Sequence, residues 1–179
     1  MIGLGDMKYA RIILLMVLCV ALTGCVTTAR KARDGVIVKR IDASLPADQN
    51  ERSVWLSEHI DPEDSKFREQ TTRHWQKDYA VFSGVLLEKT KAAGLDSESL
   101  SKVLKAVQAD AGNEFLAHLP IAAYASRLGD EPVWILVIHW EQCLPPSPEY
   151  RMPPQPLSHH RIYAYTQRDL RLVGGISCR

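Results

Sequence analysis

The eight residues from Val133 to Trp140 read VWILVIHW and are apolar on both alternations of a strand. Val133, Ile135, Val137 and His139 fall on one side, and Trp134, Leu136, Ile138 and Trp140 on the other, because successive side chains of a strand point to opposite faces. Such a strand does not suit a half-solvated sheet. It asks to be central, with neighbours on both edges and cover on both faces.

The chain around it supplies those neighbours. Ile121 to Leu128 is a second short run, joined to the first through Gly129-Asp130-Glu131-Pro132, a hairpin signal. His160 to Thr166 alternates, with Ile162 and Ala164 facing one way and Tyr163 and Tyr165 the other. Gln167-Arg168-Asp169 then turns the chain into Leu170 to Ser177, where Gly174-Gly175 marks a bulge or a close approach of backbone. Val36-Ile37-Val38, near the start, has the makings of one more short strand.

Helices come before this sheet. Val54, Trp55 and Glu58 are consistent with a short helix, and Asp61-Pro62 is a start signal for another. Trp75, Tyr79, Phe82 and Leu86 recur at helical spacing, with Gly94 as a stop. Asp96 or Ser97 opens a further helix with Leu100, Val103, Leu104 and Val107 on one face, closed by Gly112. The expected fold is α+β: a helical hairpin packed on a mainly antiparallel sheet of three or four strands.

Two other stretches organise the chain. Ile12 to Leu22, IILLMVLCVAL, is an apolar run of eleven residues behind Lys8 and Arg11. That is too short to span about 30 Å of hydrocarbon and fits the apolar region of a signal peptide. It ends in Leu22-Thr23-Gly24-Cys25. This resembles the lipobox of bacterial membrane lipoproteins, and the resemblance covers the leader alone. It implies cleavage before Cys25, lipidation of the Cys25 thiol with diacylglycerol, and a fatty acyl chain such as palmitate on the new amino terminus. Two or three acyl chains suffice for stable anchoring, which a single chain does not provide. Met7 offers a second start site, giving a leader without Asp6. Position 26 is Val rather than Asp, which by the sorting rule the resemblance brings implies the periplasmic side of the outer membrane. The expected organisation is a leader at 1–24, a lipidated tether at 25–50 and a single domain at 51–179.

Without its leader the chain keeps 155 residues, enough for a sizeable core. The leader removes Lys8, Arg11 and Asp6 from 22 basic and 21 acidic side chains and leaves 20 of each. That balance argues against nucleic acid as a partner. It leaves the membrane, through the anchor, and an envelope protein.

Of four cysteines, Cys19 departs with the leader and Cys25 takes the lipid. Cys143 and Cys178 remain, and an even pair in an exported domain reads as a disulfide. The alternative is two free thiols. Between them, Leu144 to Ser158 holds six prolines and reads as a stiff extended connection or a partner-docking segment.

No chemical motif stands out. His159-His160 are adjacent and point to opposite faces of a strand, so the pair does not chelate one ion; His139 and Glu141 are further candidates, but no zinc-type ligand spacing is visible. Ser99-Leu100-Ser101-Lys102 matches S-x-x-K by its letters but lies on an ordinary amphipathic helix without the companion S-D-N and K-T-G motifs. No cofactor or metal is expected. The aromatic set Trp134, Trp140, Tyr163 and Tyr165, with Tyr124 as an addition, shares one face if the strands pair in register. Covered by the helices it is core, and uncovered it is a binding face. The expected role is a non-catalytic binding or structural module of the cell envelope. The alternative is a small periplasmic enzyme, which a polar pocket converging on His139 and Glu141 would favour.

Overall fold

The structure is a computed structural model and describes residues 30, 32–61, 75–110, 116–143 and 156–178. A helical turn at 32–35 leads into β1 (Ile37–Arg40), followed by α1 (Gln49–His59), α2 (Trp75–Ala92), α3 (Ser97–Asp110), β2 (Leu116–Leu128), β3 (Glu131–Cys143), β4 (Pro156–Thr166) and β5 (Leu172–Cys178). The class is α+β. The sheet has five strands in the order β1-β2-β3-β4-β5, one more than the upper expectation. It is mixed, because β1 runs parallel to β2 while the other pairs are antiparallel.

The strand read from VWILVIHW is the middle one, as its two apolar faces require. Val133 to Ile138 are all fully buried. Gly129 takes the first central position of the β2–β3 turn with φ 60°, the place where a hairpin turn of the II′ kind calls for glycine. Pro120 has no N–H to give to the ladder, and the β2–β3 register slips by one residue between Pro120 and Ala122.

The two faces are covered by different helices. α2 and α3 form the hairpin, tied by the Tyr79 hydroxyl donating to the Leu104 carbonyl at 2.6 Å. α2 ends in a Schellman cap: Leu95 N–H bonds to the Thr90 carbonyl at 3.0 Å and Gly94 N–H to the Lys91 carbonyl at 3.1 Å, with Gly94 at φ 66°. α3 starts at Asp96, whose carboxylate accepts from the backbone N–H groups of Glu98 and Ser99, each at 3.1 Å. Its stripe of Leu100, Val103, Leu104 and Val107 is buried. This hairpin meets the face carrying Trp134.

α1 lies on the opposite face. A Cβ built on Gly174 would stand 3.5 Å from Leu56 Cδ1, 3.6 Å from Arg52 Cβ and 3.9 Å from Ala164 Cβ. Gly174 is the register partner of Ala164, which is the partner of Ile135. The glycine expected to mark a close approach is therefore where α1 comes down on β5. The Arg52 guanidinium fastens that contact, donating to the carbonyls of Pro46, Ala47 and Val173 at 2.9, 2.6 and 2.8 Å.

The stretch expected to be tether, 25–50, is packed over much of its length. Ala32, Val36 and Leu45 are buried, Ile41 N–H bonds to the Ala125 carbonyl and Leu45 N–H to the Arg127 carbonyl, and Arg33 forms an ion pair with Glu88 on α2 at 2.6 Å. The folded unit thus reaches at least to Ala32 rather than starting at 51. Apolar Val36, Ile37 and Val38 carried that signal, outweighed by the polar residues on either side. The anchor region with Cys25, the segment after Asp61 that begins at Pro62, Gly112 and most of the proline-rich loop lie outside the described residues. Its last proline is the exception, because β4 already begins at Pro156.

Candidate functional site

Two members of the aromatic set, Trp134 and Tyr165, are covered. Trp134 is 0% exposed and Tyr165 5%. The two are register partners on β3 and β4 and lie beneath the α2–α3 hairpin. The Trp134 indole N–H donates to Ser99 Oγ on α3 at 2.8 Å, which leaves no polar group of the ring unsatisfied. Tyr163 shares that face, is half-buried, and its ring lies 6.3 Å from that of Tyr165. Tyr124 does not belong to the set: it pairs with Ile135 and so lies on the other face. The side chain of Trp140 lies outside the described residues.

A cleft of about 580 Å³ opens at the end of the sheet where β2 turns into β3. Four connections converge there. The chain after β1 brings Arg40, Asp42 and Ser44; the α2–α3 turn brings Gly94 and Asp96; the β2–β3 hairpin brings Arg127, Gly129 and Asp130; the β4–β5 turn brings Gln167; and Trp134 lies at the base. The wall is held by backbone hydrogen bonds. Ser126 Oγ donates to the Ala43 carbonyl at 2.8 Å, and Gln167 N–H donates to the Pro132 carbonyl at 2.9 Å.

Its charge is mixed, three carboxylates facing two guanidiniums. Asp96 is held below the usual carboxylate range, chiefly by the backbone N–H of Ser99, and is a fixed negative charge. Guanidinium forks bind carboxylate or phosphate, and carboxylates bind cationic or hydroxyl groups. The described lining contains no imidazole and no thiol. The cleft is therefore suited to recognising a polar, charge-bearing ligand.

The histidines lie elsewhere. His139 is five residues beyond Trp134 on β3, towards the opposite end of the sheet, so the cleft does not converge on His139 and Glu141. His139 is register partner to His160, and the two rings meet with Nδ1 of His139 and Nε2 of His160 3.4 Å apart. Adjacency had drawn attention to His159-His160, whereas the pair that meets is the cross-strand one.

The cysteines fall on either side of β4. Cys143 is opposite Pro156 and Cys178 opposite His160, four positions apart along β4. The side chains of both cysteines lie outside the described residues.

Among the described residues no helix is long and apolar enough to cross a membrane. No family model, no curated protein and no solved structure matches this chain.

Proposed function

We propose that this chain is a lipoprotein of the cell envelope, held at a membrane by lipid on Cys25, and that its domain is a non-catalytic binding module with the polar cleft as its ligand site. The carrying observation is Leu22-Thr23-Gly24-Cys25 placed directly behind a charged start and an eleven-residue apolar run. With Val at position 26, the outer membrane, on its periplasmic side, is the proposed location. The cleft supports binding because its walls come from four separate connections and its charges are of both signs.

Two experiments test the two halves. Expressed in a bacterium, the precursor should incorporate labelled palmitate and sediment with outer membranes, and Cys25→Ser should abolish both. Equal labelling of the variant would sink the anchor. For the cleft, a photo-crosslinking residue placed at Arg127 in the native envelope should capture a discrete species. The same residue at Val54, an exposed position on α1, should not. Identical capture patterns from both positions would remove the cleft as the binding site.

A further inference from the structure

We infer that the ligand of the cleft is a short zwitterionic peptide, its carboxylate held by Arg40 and Arg127 on the sheet and its ammonium by Asp96 on the helical layer. This rests on the cleft being the ligand site and names the class of molecule it takes.

The register places the two cations together. Arg40 on β1 is the partner of Ala125 on β2, and Ala125 is the partner of Trp134 on β3. Arg127 is two residues beyond Ala125 and so on the same face. One strand spacing across and two residues along put the two Cα atoms about 8 Å apart. Side chains as long as arginine close on one anionic group from that distance, and carboxylate is a geometric match for the guanidinium fork.

Asp96 lies across the cleft from them, at the start of α3. Both backbone N–H groups that it caps, from Glu98 and Ser99, go to its Oδ1. Oδ2 is not used by the cap. The cap fixes the position of the carboxylate, and Oδ2 is left for a cationic group. Packed layers stand roughly 10 Å apart, which is about the reach of three extended residues. Gln167 lines the wall between the layers and offers an amide for the peptide bonds.

The charges of the cleft do not neutralise one another. Exposed cations elsewhere are paired: Arg33 with Glu88, Lys102 with Glu98, and Arg171 with Glu131. Among the described residues, no ion pair or side-chain hydrogen bond engages Arg40, Arg127, Asp42 or Asp130. A purely anionic ligand would meet three carboxylates here, and a purely cationic one two guanidiniums. A ligand with both charges, one layer apart, meets its opposite at each end. The volume of about 580 Å³ leaves room for a few residues.

Trialanine with both ends free is the probe, titrated calorimetrically into the full chain in detergent. It should bind about tenfold or more tighter than either N-acetyl-trialanine or trialanine amide, the worth of one charge-assisted bond. Arg127→Gln should reduce its affinity to that of the amide, and Arg127→Lys, which keeps the charge, should retain part of the difference. Asp96→Asn, which still caps α3, should reduce it to that of the acetylated peptide. All three variants should keep the wild-type circular dichroism. A capped peptide that binds as well as trialanine would overturn the inference. So would tighter binding of glycerophosphoethanolamine, which would make the ligand a lipid headgroup. If trialanine does not bind while a crosslinker at Arg127 still captures a discrete species, the zwitterionic peptide falls and the cleft stands. Identical capture from Arg127 and Val54 removes both.

Discussion

Ser99 Oγ accepts a hydrogen bond from the indole N–H of Trp134 at 2.8 Å and donates its own hydroxyl to the Asp96 backbone carbonyl at 3.1 Å. One serine on the first turn of α3 thus joins the helix start to the middle strand. It is also the residue whose backbone N–H caps onto Asp96. Removing the hydroxyl strands a buried donor, which costs about 1–3 kcal/mol. Ser99→Ala should lower stability in urea unfolding by that amount. In a Trp134→Phe background, where no N–H remains to be stranded, the same change should cost less. Equal costs in both backgrounds would show that the contact carries no coupling.

The packed face makes a larger prediction. Trp134 and Leu104 are both buried on the same side of the sheet, under and within the α2–α3 hairpin. Trp134→Ala should cost about 3–5 kcal/mol and Leu104→Ala about 2–5 kcal/mol, large against a total stability of roughly 5–15 kcal/mol. A Trp134→Ala melting midpoint equal to wild type would refute this packing.

Arg52 offers a test on the other face. Its three hydrogen bonds to carbonyls of Pro46, Ala47 and Val173 join the chain entering α1 to β5. Lysine keeps the charge but lacks the planar fork. Arg52→Lys should lose about 2–3 kcal/mol in chemical unfolding, since bonds from a charged donor are among the stronger ones. Val54→Ala, on the exposed side of the same helix, should change stability by under about 0.5 kcal/mol. Similar losses from both would mean that the fork contributes nothing beyond helix propensity.

Asp96 gives a pH dependence with a definite sign. The Ser99 N–H, followed by smaller contributions from the Ser99 hydroxyl and the Glu98 N–H, holds its carboxyl below its ordinary value of 3.8. A group with a depressed folded-state value stabilises the fold above its unfolded value, and that stabilisation disappears as pH falls through the folded-state value. Asp96→Asn keeps a capping side chain but does not titrate. The stability difference, wild type minus Asp96→Asn, should stay constant from neutral pH to about pH 5 and shrink below it. A difference that grows on acidification would reverse the assignment.

The middle strand, the α2–α3 hairpin, the Gly94 stop and the Gly174 approach were legible because each rests on a local pattern: two apolar alternations, helical spacing or a glycine. What covers which face was not local. Nothing in the spacing of Trp55 and Leu56 says that α1 belongs opposite the hairpin, or that Tyr124 leaves the face of Trp134. β1 was visible as three apolar residues, but its parallel pairing with β2 depends on chain more than eighty positions away. The cross-strand histidine pair was hidden for the same reason: sequence adjacency suggested His159 with His160, whereas register opposes His139 to His160.

The buried Ala32 and Val36 set the length of a leash. With lipid on Cys25, the packed chain resumes at Ala32, only seven residues along, and is held there by the Arg33–Glu88 ion pair and by the Lys89 ammonium donating to the Val36 carbonyl. Seven fully extended residues reach about 25 Å at most. If Cys25 carries the proposed lipid, a domain on so short a line could not sample the depth of a periplasm, and whatever it met would have to come to the lipid surface or already be there.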